Sequence, residues 1–157
     1  MDDRRALYLA VMTAASAIDD APIEAALAEL VEDFELLGDW EARIEHVIDL
    51  GKSLEPLPEA DRVEANKVPG CAAQVWLATR RADGRLRFLA DSDSALSKGN
   101  IALLLSLFSD RAPDEILAFD ARAALDRLGL PSALTRQRAN GLNSMVERIR
   151  QEAEAGA

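Results

Sequence analysis

The stretch Val68-Pro69-Gly70-Cys71-Ala72-Ala73-Gln74-Val75-Trp76 runs directly into Leu77-Ala78-Thr79-Arg80-Arg81-Ala82-Asp83-Gly84-Arg85-Leu86-Arg87-Phe88-Leu89-Ala90. The second half predicts a β-hairpin. Val75 to Arg81 and Leu86 to Ala90 are strand-like, and Asp83-Gly84 supplies the turn that joins two such runs. The first half places a thiol. Proline and glycine lift Cys71, the one cysteine of the chain, to the tip of a turn ahead of the first strand. A thiol there can react with a partner, whereas an inert cysteine more often sits inside an apolar helix or strand. Arg80, Arg81, Arg85 and Arg87 make the hairpin locally basic. They read either as charges that keep a sheet edge solvated and unpaired or as a contact surface for an acidic partner.

On the N-terminal side lies Lys52 to Gly70, broken by Pro56, Pro58 and Pro69 and kept polar by Asp61, Arg62, Glu64 and Asn66. It reads as a long, mobile surface connection. Before it, two helices are expected. Pro22 reads as a first-turn proline after an Asp19-Asp20 cap signal. Ile23, Ala26, Leu27, Leu30, Val31, Phe34 and Leu37 then recur at helical spacing up to Gly38. Asp39 can cap a second helix in which Trp40, Ile44, Val47, Ile48 and Leu50 follow, ended by Gly51. Beyond the hairpin, Ser92-Asp93-Ser94 can cap a helix whose Ile101 to Phe108 run is apolar nearly all round, hence buried. Short helices follow from Pro113 and from Ala121, and Thr135 can cap the last, with Leu142, Met145, Val146 and Ile149 inward. Helices, hairpin, helices spell an α+β domain. The expected division is an N-terminal extension over residues 1–20, helical in character, and one domain over 21–157. Ala6 to Ala17 superficially resembles an export signal, but Asp2 and Asp3 cancel Arg4 and Arg5, so an extra helix is the preferred reading.

Composition removes several function classes. The 157 residues carry a net charge of −10, which disfavours nucleic acid and anionic membrane surfaces. One cysteine makes no internal disulfide and signals no oxidising compartment. One histidine and one cysteine fall short of the roughly four ligands of a zinc site or a cysteine-ligated cluster. No run reaches the ~18 apolar residues of a membrane span.

The remaining chemistry centres on the thiol. A free thiol of pKa about 8.5 is only slightly ionised at neutral pH. Cations that could raise its reactivity are Lys67 nearby and Arg136 or Arg138 at the start of the last helix. His46, mid-helix, reads as a surface residue rather than a base for Cys71. No phosphate-binding glycine loop is present, and no pair of carboxylates stands out. A thiol without base, metal or cofactor suits the passing of a group between proteins, as in thiol–disulfide exchange.

Asn66-Lys67-Val68-Pro69-Gly70-Cys71-Ala72-Ala73-Gln74-Val75-Trp76 resembles the signature of the SufE family of sulfur-transfer proteins. The likeness continues in Asp91 to Gly99, Ile116 to Asp120, Leu134-Thr135, Arg138 and Gly141-Leu142, with Trp40 to Gly51 similar to the family's second helix. It spans roughly Pro22 to Arg150. It implies a fold shared with IscU-type scaffolds: a small antiparallel sheet, the hairpin plus a third strand, packed against several helices. It implies that Cys71 accepts sulfane sulfur from a SufS-type cysteine desulfurase and stimulates that enzyme. The sulfur then passes to an iron–sulfur scaffold. PLP would belong to the desulfurase, with no cofactor or metal in this chain and no stand-alone enzyme activity, and the setting would be cytoplasmic.

The resemblance also nominates Asn66, Gly70, Gln74, Trp76, Asp93 and Arg138 for partner binding or for positioning the loop. Each has a plainer reading: Asp93 as a helix cap, Arg138 as a solvated first-turn residue, Trp76 as core. Ala73 stands where the family commonly has serine, and Asn100 where it usually has an apolar residue. A CsdE-type acceptor serving another desulfurase, a cluster-building scaffold and a pure interaction module are the competing functions.

Overall fold

The computed structural model describes residues 22–71, 73–130 and 136–156. The expected helix over 1–20, the Asp19-Asp20 signal and the Thr135 cap lie outside these. Helices α1 (Ile23–Leu37) and α2 (Trp40–Lys52) come first, then the hairpin β1 (Val75–Ala82) and β2 (Arg85–Ser92). Among the described residues these helices follow: α3 (Ala95–Phe108), α4 (Pro113–Ala118), α5 (Ala121–Leu128) and α6 (Arg136–Glu154). This is an α+β fold.

The hairpin forms as the sequence predicts. β1 and β2 pair antiparallel with Ala82 opposite Arg85. Asp83 and Gly84 take φ of 56° and 74°, the left-handed pair that matches the twist of the strands. Among the described residues the sheet stops at two strands. The expected third strand is reduced to single bridging pairs, Lys67 with Trp76 and Leu86 with Arg111. Prolines explain both ends. Pro69 turns the chain after Lys67, and Pro113 opens α4 after Arg111, and neither can donate to a ladder.

One face of the hairpin, with Val75, Leu77, Leu86 and Phe88, joins the main core around Ile101, Leu104, Phe108 and Ile149. The other face carries Trp76, Ala78 and Leu89 and is closed by Leu57. Residues 53–70 therefore form a cover over the sheet rather than a slack connection. Two single-turn 3-10 helices, Glu59–Asp61 and Glu64–Asn66, compact the cover. Arg62 to Asp91 at 2.6 Å, Arg80 to Asp61 and Arg87 to Glu55 fasten it to the hairpin. Arg81 is bound by Glu152 and by the Gly156 carbonyl. Arg80, Arg81 and Arg87 thus make ion pairs within the chain.

α2 and α3 cross at glycines. A Cβ on Gly51 would lie 2.6 Å from the Gly99 nitrogen, and one on Gly99 would collide with the Val47 carbonyl. Gly51, in the last turn of α2 where the sequence ends the helix, is therefore also its contact point with α3. Having met α3 through Val47 and Gly51, α2 leaves Trp40 and Ile44 partly exposed. Trp40 instead packs edge-on against Phe34, with Arg43 over its ring.

Candidate functional site

The Cys71 loop leaves the cover at Val68 and enters β1 at Val75, and these two residues are joined by a backbone hydrogen bond of 2.9 Å. The neck of the loop is closed and its tip stands proud. Gly70 takes φ of +85°, a conformation that costs a side chain strain. A Cβ there would also fall 2.5 Å from the Ser144 hydroxyl oxygen.

The far limb of the loop is held by the residue ahead of α3. The Gln74 N–H donates to Asp93 Oδ1 at 3.0 Å, and the Asp93 N–H donates back to the Gln74 carbonyl at 3.3 Å. The helix cap is Ser94, whose side chain accepts from the Ser97 N–H. Asp93 is thus a loop brace and not the cap.

Cys71 is half-buried. Its Sγ–H points at the Gly141 carbonyl, 3.7 Å away. Gly141 lets the sulfur lie close against α6, since a Cβ there would touch Sγ at 3.6 Å. Beneath the sulfur is a cavity of about 280 Å³. Residues at helical spacing form two of its walls: Ser97, Asn100, Ile101 and Leu104 on α3, and Gln137, Arg138, Gly141, Leu142 and Met145 on α6. Ala73 and Val75 close the loop side. The opposite flank of α6 borders a wider groove of about 1050 Å³, which Val68, Pro69, Gly70 and Ser144 also line. The cysteine loop is the crest between the two.

Burial pushes the Cys71 thiol up from its ordinary value, because an apolar shelter disfavours the thiolate. Lys67 gives no activation, being paired with Glu64 at 2.9 Å and lying over the Trp76 ring. His46, on α2, packs edge-on against Phe34 of α1.

Of the residues nominated by sequence, Cys71 and Arg138 meet at the cavity, and Gly70, Gln74 and Asp93 set the loop. Asn66 and Trp76 do not line the cavity. Asn66 donates to the Asp61 carbonyl at 2.8 Å and braces the cover. Trp76 is 8 % exposed and carries Arg62 over its ring at 4.7 Å. Burial weighs against ionisation of Asp91, but hydrogen bonds from Arg62, the Ser92 N–H and Lys98 outweigh it and hold the carboxyl below its ordinary range. Sequence reasoning did not assign Gly141, Ser144 or Asn100 to the site. For Gly141 and Asn100 the signal was the spacing that puts 137, 141 and 145, or 97, 100 and 104, on one helix face.

No helix among the described residues is long and apolar enough to cross a membrane. None of them form a cluster of three or more metal-binding side chains.

A family model described as SufE, an Fe-S metabolism associated domain, matches residues 28–153. A SufE-like protein of Rhizobium meliloti (strain 1021) is 43% identical over 132 residues, covering 82% of this chain and 94% of its own. A SufE-like protein of Rhizobium etli is 43% identical over 137 residues, covering 85% and 93%. The solution structure of a hypothetical protein from Thermus thermophilus superposes with a TM-score of 0.69 at 19% identity, covering 83% of this chain and 94% of that one. At that identity it speaks for the fold alone.

Proposed function

We propose that this chain, which belongs to the SufE family of Fe-S metabolism associated domains, accepts one sulfur atom on Cys71 from the persulfide of a cysteine desulfurase. The observation that carries this reading is the Cys71 sulfur itself, half-buried over a cavity while its loop forms a surface crest. A carrier needs both properties. The crest gives a partner's cysteine a line of approach, and the cavity shields the cargo from solvent oxidants and stray thiols.

The reaction needs no metal or oxidant. The Cys71 thiolate attacks the outer sulfur of the partner persulfide, and a new S–S bond forms to Cys71 Sγ. The old S–S bond breaks, and its electron pair leaves with the partner cysteine, which takes up a proton. Cys71 becomes the persulfide and the partner returns to a thiol. The raised thiol pKa keeps Cys71 protonated and quiet between encounters. Drawing the loop outward rehydrates the sulfur and restores its ordinary acidity.

The chain then acts as a stimulator of a SufS-type desulfurase and a donor to an iron–sulfur scaffold, in the cytoplasm, with PLP held by the desulfurase. The test is desulfurase turnover. With this protein added, sulfide or alanine production from cysteine rises, and Cys71→Ser abolishes the rise. Full stimulation by Cys71→Ser overturns carriage and leaves a docking module in its place.

A further inference from the structure

Asn100 is 8 % exposed, lies on the α3 wall of the cavity, and its side chain makes no hydrogen bond to any described residue. The amide is not sealed off, since Thr79 Oγ1 is the one buried side-chain atom without a partner among the described residues, so it opens onto the cavity with its donor free for whatever enters there. Cys71 Sγ already has a partner suited to a neutral thiol, the Gly141 carbonyl, which accepts the S–H. A persulfide anion has the reverse requirement, since its terminal sulfur carries charge and needs a donor. An S–S bond of about 2 Å carries that sulfur beyond Sγ, into the space that Asn100 lines.

We propose that the Asn100 side-chain amide donates a hydrogen bond to the terminal sulfur of the Cys71 persulfide, so that the cavity favours the loaded state in its anionic form. This rests on the sulfur-carrier reading and names the group that holds the cargo. Asn100 is a positioning residue with no part in the unloaded thiol. Among the described residues Arg138 is the charged side chain that lines the same cavity. Ser94 and Ser97 approach from the α3 side, and Gln137 from α6, none of which titrates.

The test loads sulfur without any desulfurase. Inorganic polysulfide is added to the purified full chain. The Cys71 thiolate attacks one sulfur, and a shorter polysulfide leaves with the electron pair. Alkylation rate against pH is then measured for the persulfide and, in a separate sample, for the unmodified thiol. For Asn100→Leu the persulfide profile moves up by about one pH unit, a tenfold change equivalent to about 1.4 kcal/mol, while the thiol profile stays in place. Asn100→Asp, nearly the same in shape, moves it further the same way. An unchanged persulfide profile in both variants overturns the proposal and makes Asn100 a water-bound wall residue. Equal movement of thiol and persulfide profiles also overturns it, since that marks a general change in the cavity. A desulfurase that ignores the protein sinks the carrier reading without touching this measurement.

Discussion

Asp93 and Gln74 grip each other through two hydrogen bonds, side chain to N–H at 3.0 Å and N–H to carbonyl at 3.3 Å. The segment that leads into the buried helix α3 therefore holds the limb of the cysteine loop. Removing the carboxylate frees that limb. Asp93→Ala is expected to lower stability by about 1 kcal/mol, the range of a partly exposed hydrogen bond. The same change should speed iodoacetamide labelling of Cys71 several-fold. Urea denaturation and labelling kinetics on one sample measure both. An unchanged labelling rate contradicts the brace.

Gly70 tests the other limb. Its φ of +85° should make Gly70→Ala cost about 1–2 kcal/mol. The Ser144 hydroxyl that a Cβ would meet is the end of a rotatable side chain and can turn aside. Adding Ser144→Gly should hence recover little of the loss in thermal denaturation. Full recovery would assign the cost to the contact rather than to the backbone.

At the α2–α3 crossing the neighbour is backbone and cannot turn aside. Gly99→Ala drives a methyl group into the Val47 carbonyl and should cost about 3 kcal/mol. The loss should appear in the midpoint of urea unfolding. A shift below about 1 kcal/mol would mean that the helices part easily.

The buried thiol gives a pH signature. Burial places the folded-state value of Cys71 above its ordinary one. The labelling profile of the native protein should therefore inflect above the ~8.5 of an unperturbed thiol and fall back in urea. Because the folded value exceeds the unfolded one, the stability linked to this thiol is whole below about pH 8.5 and is lost as pH rises through the folded value. Cys71→Ser should remove that alkaline loss.

Asp91 and Glu152 work in the opposite direction. In each, burial acts to raise the value, and the opposing groups prevail: Arg62, the Ser92 N–H and Lys98 for Asp91, Arg81 and Arg148 for Glu152. With folded values depressed, their contribution is whole above about pH 4 and is lost as pH falls through the folded values. Melting temperature followed from pH 6 downward should show this acid limb, and Asp91→Asn should flatten it.

The turn at Asp83-Gly84, the strands, and the helices begun at Asp39 and Pro113 and ended at Gly38 and Gly129 were legible because local chemistry alone sets them. The cover over residues 53–70 was not. Its polarity and prolines look like a mobile loop, and only the second sheet face reveals why Leu57 is buried. The third strand failed for a local reason, prolines that end the pairing after one residue. Cys71, Gly70 and Gln74 were legible as a turn signature. The cavity was not, because its walls come from two helices far apart in sequence, with Asn100 on one and Gly141 on the other. Asp93 was the instructive case. A cap and a brace look alike until Ser94 is seen to take the cap.

The central claim is that sulfur lands on Cys71. The direct measurement is tandem mass spectrometry of the full chain after incubation with a cysteine desulfurase, cysteine and PLP, with persulfides alkylated before digestion. The account predicts one added sulfur atom on the peptide containing Cys71, lost on treatment with a reducing thiol. A Cys71 peptide that stays unmodified while the desulfurase turns over in its presence would contradict it.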